Sequence, residues 1–261
     1  MARTGCTSSR RTLRFSRRVR LTERFPYMTD SLAPAATDDE ARLPEAVKTL
    51  ARVLGAESSS EGASLTQAGR MKLSIDAKNW TRFTARQTIE TRACGFDWRA
   101  RMGPFGMISV QDALIEGRGR LSVKALGVMP LVRTTPSAAL TRGELMRYLA
   151  ELAWAPDAVL LNTALRWREI DAATLGVSAG IGAAAAEVFF TLNGDGTIAG
   201  GYALDRPRSL VAPFLPTRWT WRYSDYRRCG RRTTPFAGEV AWEIDGKEIV
   251  YWQGHLTDWH A

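Results

Sequence analysis

The sequence predicts an α+β domain built as a strongly curved antiparallel sheet, an open half-barrel, packed against one main helix and one or two short helices. Three observations predict it. From about residue 65 onward, apolar residues recur every second position over long stretches, the pattern of half-buried antiparallel strands. These stretches come in two runs rather than alternating with helices, which argues against a parallel βαβ fold. A single well-marked helical segment, residues 141–154, stands between the two runs.

The elements follow in order. Residues 28–43 read as a low-complexity lead-in containing the acidic run Asp38-Asp39-Glu40. Pro44 opens a short helix in which Val47, Leu50, Ala51 and Leu54 share one face and Gly55 stops the helix. Met71, Leu73 and Ile75 alternate with polar neighbours, as do Phe83, Ala85, Gln87 and Ile89, and then Phe96, Trp98 and Ala100. Segments 108–116 and 118–126 add two strands about a glycine-rich connection. Thr141-x-x-Glu144 reads as a capping box that starts the main helix, and Pro156 ends it after Trp154. A further short helix is expected with Asp157 as its cap. The second run comprises segments 165–171, 188–192, 198–204, 219–223, 239–244 and 247–253. Asn193-Gly194-Asp195-Gly196 and Asp245-Gly246 serve as hairpin turns, and 207–216 is a proline-rich loop.

The net charge of +9 points at first to nucleic acid, but its distribution does not. Residues 1–25 hold eight arginines and one acid, Glu23, whereas the rest of the chain carries 28 basic and 26 acidic residues. The body is therefore close to neutral, and no nucleic-acid partner is expected for it. The arginine-rich segment contains too few apolar residues to fold by itself. It reads as an over-extended start with Met28 the true first residue, as a disordered arm, or as a targeting peptide; residues 1–43 are taken together as basic tail and linker, and 44–261 as one domain. Three cysteines without a C-x-x-C pair exclude a disulfide scaffold and a zinc ribbon. No run of 18 apolar residues provides a transmembrane segment, and no apolar core of a signal peptide follows Ser16-Arg17-Arg18, so a cytoplasmic location is expected.

Residues 94–101 (Cys-Gly-Phe-Asp-Trp-Arg-Ala-Arg) and 142–156 (Arg-Gly-Glu-Leu-Met-Arg-Tyr-Leu-Ala-Glu-Leu-Ala-Trp-Ala-Pro) carry a resemblance to an uncharacterised bacterial family, a domain of unknown function. In that family a Gly-Phe-x-Trp strand precedes a Glu-Leu-x-Arg-Tyr-Leu-Ala-Glu helix. Gln67-Ala-Gly69, Asp112, Gly117-Arg-Gly119, Glu239 and Trp242 fit the same pattern, so the resemblance covers about residues 44–260. It implies one domain and no particular activity. In outline the layout also resembles the open half-barrels of bacterial lipoprotein carriers, an analogy of fold alone.

Candidate chemistry is sparse. Gly176-x-Ser178-x-Gly180 matches the nucleophile-elbow spacing, with Asp195, Asp205, Asp225 and His255 following, but an elbow needs a parallel sheet and this sequence reads antiparallel. His255, Asp258 and His260 lie at the chain end, where chains fray. No catalytic residue, metal site or cofactor is expected. On the main helix, Glu144, Arg147 and Glu151 form one narrow polar stripe with Tyr148 at its border, either a ladder of ion pairs or a stripe facing a cavity. Nine tryptophans, Trp98 and Trp219 among them, could line a curved sheet and hold an apolar ligand, or simply fill a core. The reading is a non-catalytic binding module for a hydrophobic or amphipathic small ligand, with Glu144, Arg147, Tyr148, Glu151, Trp98 and Trp219 as binding residues. The alternative is an enzyme using the carboxylates of Glu144, Glu151 and Asp112 with Arg147 or Tyr148.

Overall fold

The computed structural model of the protein describes residues 43–126, 129–208 and 214–261. A first helix, α1 (Glu45–Leu54), buries Val47, Leu50, Ala51 and Leu54 on the face expected from their spacing. The chain then meanders outward through β1 (Gly62–Met71), β2 (Thr81–Glu90), β3 (Phe96–Met102), β4 (Ile108–Ile115), β5 (Arg118–Ala125) and β6 (Met129–Arg133). Helix α2 (Ala138–Ala150), a 3₁₀ turn (Glu151–Trp154) and the short α3 (Ala158–Leu161) carry it to the opposite edge. From there it meanders back through β7 (Arg166–Asp171), β8 (Thr174–Ala179), β9 (Ala186–Leu192), β10 (Ile198–Arg208), β11 (Leu215–Cys229), β12 (Arg232–Ile244) and β13 (Lys247–His260).

Among the described residues these thirteen strands form one sheet in the order β6-β5-β4-β3-β2-β1-β13-β12-β11-β10-β9-β8-β7. Every pairing in it is antiparallel. Two meanders are thus joined where β1 pairs with β13, and the helical segment crosses from one edge to the other. The crossing forces the curvature. Helix α2 packs against β4 and β5 on one side and β8, β9 and β10 on the other. Strands β5 and β10 stand eight places apart in the order; in a flat sheet that is roughly 38 Å. A helix with its side chains is only about 10–12 Å across, so the sheet has to curl around it as a half-barrel with α2 on the concave face. Leu145, Met146, Leu149, Leu152 and Ala153 are all buried there.

Several local expectations need correction. The main helix begins at Ala138, capped by Ser137, whose Oγ accepts from the Leu140 N–H. Thr141 is therefore not a cap; its Oγ1 accepts from the Gly119 N–H and ties the helix to β5. Asp157 precedes α3 but does not cap it, since its carboxylate is taken by Arg232 and the Glu57 N–H. The first strand ends at Met71, and Leu73 lies beyond it, 61% exposed; the alternation around residues 71–75 is that of a loop, while Ala63, Leu65 and Gln67 supply the inward face. Strands β6 and β8 were not anticipated, because neither alternates cleanly. In agreement with the antiparallel reading, Ser178 lies inside β8, flanked antiparallel by Arg166 and Glu187, so the Gly-x-Ser-x-Gly spacing is not an elbow. The chain end does not fray: β13 runs to His260 and pairs with β1 at the centre of the sheet. The expected loop over 207–216 is shorter, since Pro207 and Arg208 pair with Pro216 and Leu215 as the ends of β10 and β11; residues 209–213, like the basic tail, fall outside the described residues.

Candidate functional site

Register brings the site together. Across the first meander, Leu121, Asp112, Trp98, Gln87 and Leu65 face one another on successive strands. Across the second, Gly201, Trp221, Val240 and Trp252 do the same, and Trp252 pairs with Met71 across the seam. Helix α2 lies over both rows. Between helix and sheet is a cavity of about 240 Å³, walled by Trp98, Asp112, Arg147, Glu151, Trp154, Arg206, Trp219, Trp221, Tyr223, Tyr251 and Trp252. Gly201 and Gly254 make room for two of these rings: a Cβ at either would stand 2.5 Å from Trp221 or Trp252 respectively. A wider and more open depression lies on the convex face among Arg70, Arg82, Arg101 and Arg222, whereas the concave cavity is walled largely by buried and half-buried side chains.

The first-meander wall is polar and internally paired. Arg147 donates from Nε to Glu151 Oε1 at 2.8 Å and from Nη1 to Asp112 Oδ2 at 2.6 Å, and its guanidinium lies 4.8 Å from the Phe96 ring and 5.1 Å from the Trp98 ring. The other oxygen of Glu151 accepts from Gln87, whose Oε1 accepts from Gln67. Gln67 Oε1 in turn accepts from the Trp98 indole at 2.8 Å. Gln67 and Gln87 are each 2% exposed, so this is a continuous buried network from β1 to α2.

The second-meander wall is aromatic. Trp219 and Trp221 tilt against each other with centroids 5.0 Å apart, and Trp154 meets Tyr223 edge-on at 5.2 Å. Arg206 stacks at 4.2 Å from the Trp219 ring. The Trp219 indole donates to the Tyr251 hydroxyl, and the Tyr223 hydroxyl to the Ala150 carbonyl. The Trp221 indole nitrogen is buried without a hydrogen-bond partner among the described residues.

Of the residues expected from the sequence, Arg147, Glu151, Trp98 and Trp219 reach the cavity wall together. Glu144 is buried but is not among the residues that line the cavity. Burial first, and the Asp112 charge second, hold its carboxyl well above the ordinary range, against the opposing pull of Arg206 and Arg147. Glu144 Oε2 and Asp112 Oδ1 are both buried without a hydrogen-bond partner among the described residues. Tyr148 is not on the wall. Its hydroxyl donates to the Glu90 carbonyl and accepts from Asn162, and burial raises its pKa. The alternative grouping of carboxylates with Tyr148 is therefore not assembled in one place. His255 and the Asp258–His260 pair lie on the exposed face of β13.

Sequence reasoning missed Gln67, Gln87 and Arg206. Gln87 carried a signal, a glutamine in the inward register of a strand between Ala85 and Ile89. Arg206, between an aspartate and a proline, carried none.

Residues 33–254 match a family of unknown function (DUF6544). No curated protein matches the chain in sequence. Among solved structures, a LolA superfamily protein from Nitrosomonas europaea superposes with a TM-score of 0.44 at 10% identity, covering 82% of this chain and 92% of that one. No helix among the described residues is long and apolar enough to cross a membrane.

Proposed function

The chain belongs to that family of unknown function, and with the site as the guide we propose that it is a non-catalytic binding module for a small hydrophobic or amphipathic ligand. The observation that carries this reading is the partly open cavity between α2 and the concave face, whose second wall is dominated by the rings of Trp219, Trp221, Tyr223, Tyr251 and Trp252. A domain that needed these rings only as core would pack them to the density of an organic crystal. Here a space of about 240 Å³ remains between helix and sheet, and a buried indole N–H is left unmet. At about 240 Å³, the cavity lies just below the roughly 300–1,000 Å³ of typical small-molecule sites. It suits a short apolar chain, or the head and first carbons of a longer one.

Catalysis has less support. Asp112 and Glu151 are both held in ion pairs by Arg147, and Glu144 is not on the wall. Filling the cavity tests the binding reading. Val240 lies between Trp221 and Trp252 on the wall, and Val240→Phe should displace an environment-sensitive apolar dye such as anilinonaphthalene sulfonate while far-UV circular dichroism stays unchanged. Dye bound equally by both proteins, or by neither, counts against the cavity as the binding site.

A further inference from the structure

The two arginines of the cavity wall are not equivalent. Arg147 is neutralised by Asp112 and Glu151. Arg206 is 9% exposed, and no carboxylate stands within 4 Å of it among the described residues. Its Nε donates to the Gly143 carbonyl at 3.2 Å, and Nη1 reaches the Tyr251 hydroxyl at a long 3.5 Å. Nη2 makes no hydrogen bond among the described residues. A buried cation ordinarily meets a counter-charge; this one has the faces of Trp219 and Trp242, at 4.2 and 5.7 Å. Glu144 feels the Arg206 charge but makes no ion pair or hydrogen bond with the guanidinium. The Trp219 ring that carries Arg206 also packs on Trp221, whose indole Nε1 is buried without a partner among the described residues. Cation and indole N–H thus share one wall with aromatic surface around them.

We propose that Arg206 is the anion anchor of this cavity and that its ligand is an amphipathic molecule with a single anionic head. The head, a carboxylate or a phosphate, takes the free edge of the Arg206 guanidinium. The apolar body lies along Trp154 and Trp252. This rests on the cavity being the binding site.

The test uses the full chain and three ten-carbon probes kept below their micelle concentrations: decanoate, decyl phosphate and decanol. Binding is read by tryptophan fluorescence and isothermal titration calorimetry. At least one anion should bind ten-fold or more tightly than decanol, and the tighter of the two identifies the head group. Arg206→Gln should erase that preference, so that the anions bind no more tightly than decanol to the same variant, and Arg206→Lys should keep a reduced preference. Equal binding of all three probes by the wild type, or an unchanged preference in Arg206→Gln, overturns the anchor and leaves the binding module standing. Binding of none of them by folded wild type overturns both. If circular dichroism finds Arg206→Gln unfolded, the head-group series on the wild type and on Arg206→Lys decides.

Discussion

The two walls of the cavity solve opposite problems with buried polar groups. On the first meander, Trp98, Gln67, Gln87, Glu151, Arg147 and Asp112 form a chain in which almost every donor meets an acceptor of the protein itself. On the second, the aromatic surface around Trp219 and Trp221 holds an arginine without an ion pair and an indole without an acceptor among the described residues. Both walls face the same helix, so the difference is not one of depth. A self-paired network fixes where the helix sits, because any shift breaks several buried bonds at once. A wall with unmet donors contributes little to that fixing, and its chemistry remains available to a ligand.

If this contrast holds, the largest stability effect belongs to the self-paired wall. Arg147→Ala leaves Asp112 and Glu151 buried without their cation, and should destabilise the protein by about 3–5 kcal/mol in urea denaturation. Neutralising the partners as well, with Arg147→Met, Asp112→Asn and Glu151→Gln together, should recover much of the loss, because the cost lies in the stranded charges. A loss below about 1 kcal/mol for Arg147→Ala is what a solvated surface ladder would give, and would dissolve the distinction between the walls.

The next effect belongs to neither wall. Leu149 is fully buried on α2 but does not line the cavity. Leu149→Ala should cost about 2–5 kcal/mol by loss of packing, with probe affinity unchanged in whatever fraction remains folded. A negligible loss would mean that α2 is not seated on the concave face as described.

How much of this was legible in the sequence depends on what each signal encodes. Strand alternation reports which side of the sheet a residue faces, so Phe83, Gln87, Trp98 and Trp221 all point inward as read. It does not report where a strand stops when the inward residues are small or polar, which is why β1 was placed too late: Ala63 and Gln67 are weak markers of an apolar face. The polar stripe of α2 was legible at 100° per residue, and Arg147 and Glu151 do pair across one turn. That Asp112 completes this pair depends on a register between strands four residues of helix cannot announce. Arg206 was illegible for the same reason in stronger form. Its role follows from a ring on the next strand, Trp219, and from an acid on the helix, Glu144, that makes no ion pair with it, and none of these lies near it in the chain.

Glu144 stands between the walls, and its titration is the most sensitive measure of how they differ. Its carboxyl is raised by burial and by Asp112, against the pull of Arg206 and Arg147. Unfolded, it titrates near about 4.3. Between that pH and the raised folded value, the native state holds a proton that the unfolded chain has released. Stability is therefore greatest below the unfolded pKa and falls as pH climbs toward the folded one, by at most about 1.4 kcal/mol per pH unit. Glutamine at this position cannot ionise. Glu144→Gln should consequently match the wild type near pH 4.5 and overtake it progressively above, in urea denaturation repeated from pH 4.5 to 9. It should also leave decanoate affinity intact, because a neutral Glu144 is already what keeps Arg206 without a counter-charge. Parallel stability curves for the two proteins would mean that Glu144 is ionised in the folded state. Arg206 would then be neutralised from behind, and the aromatic wall would be as self-paired as the polar one.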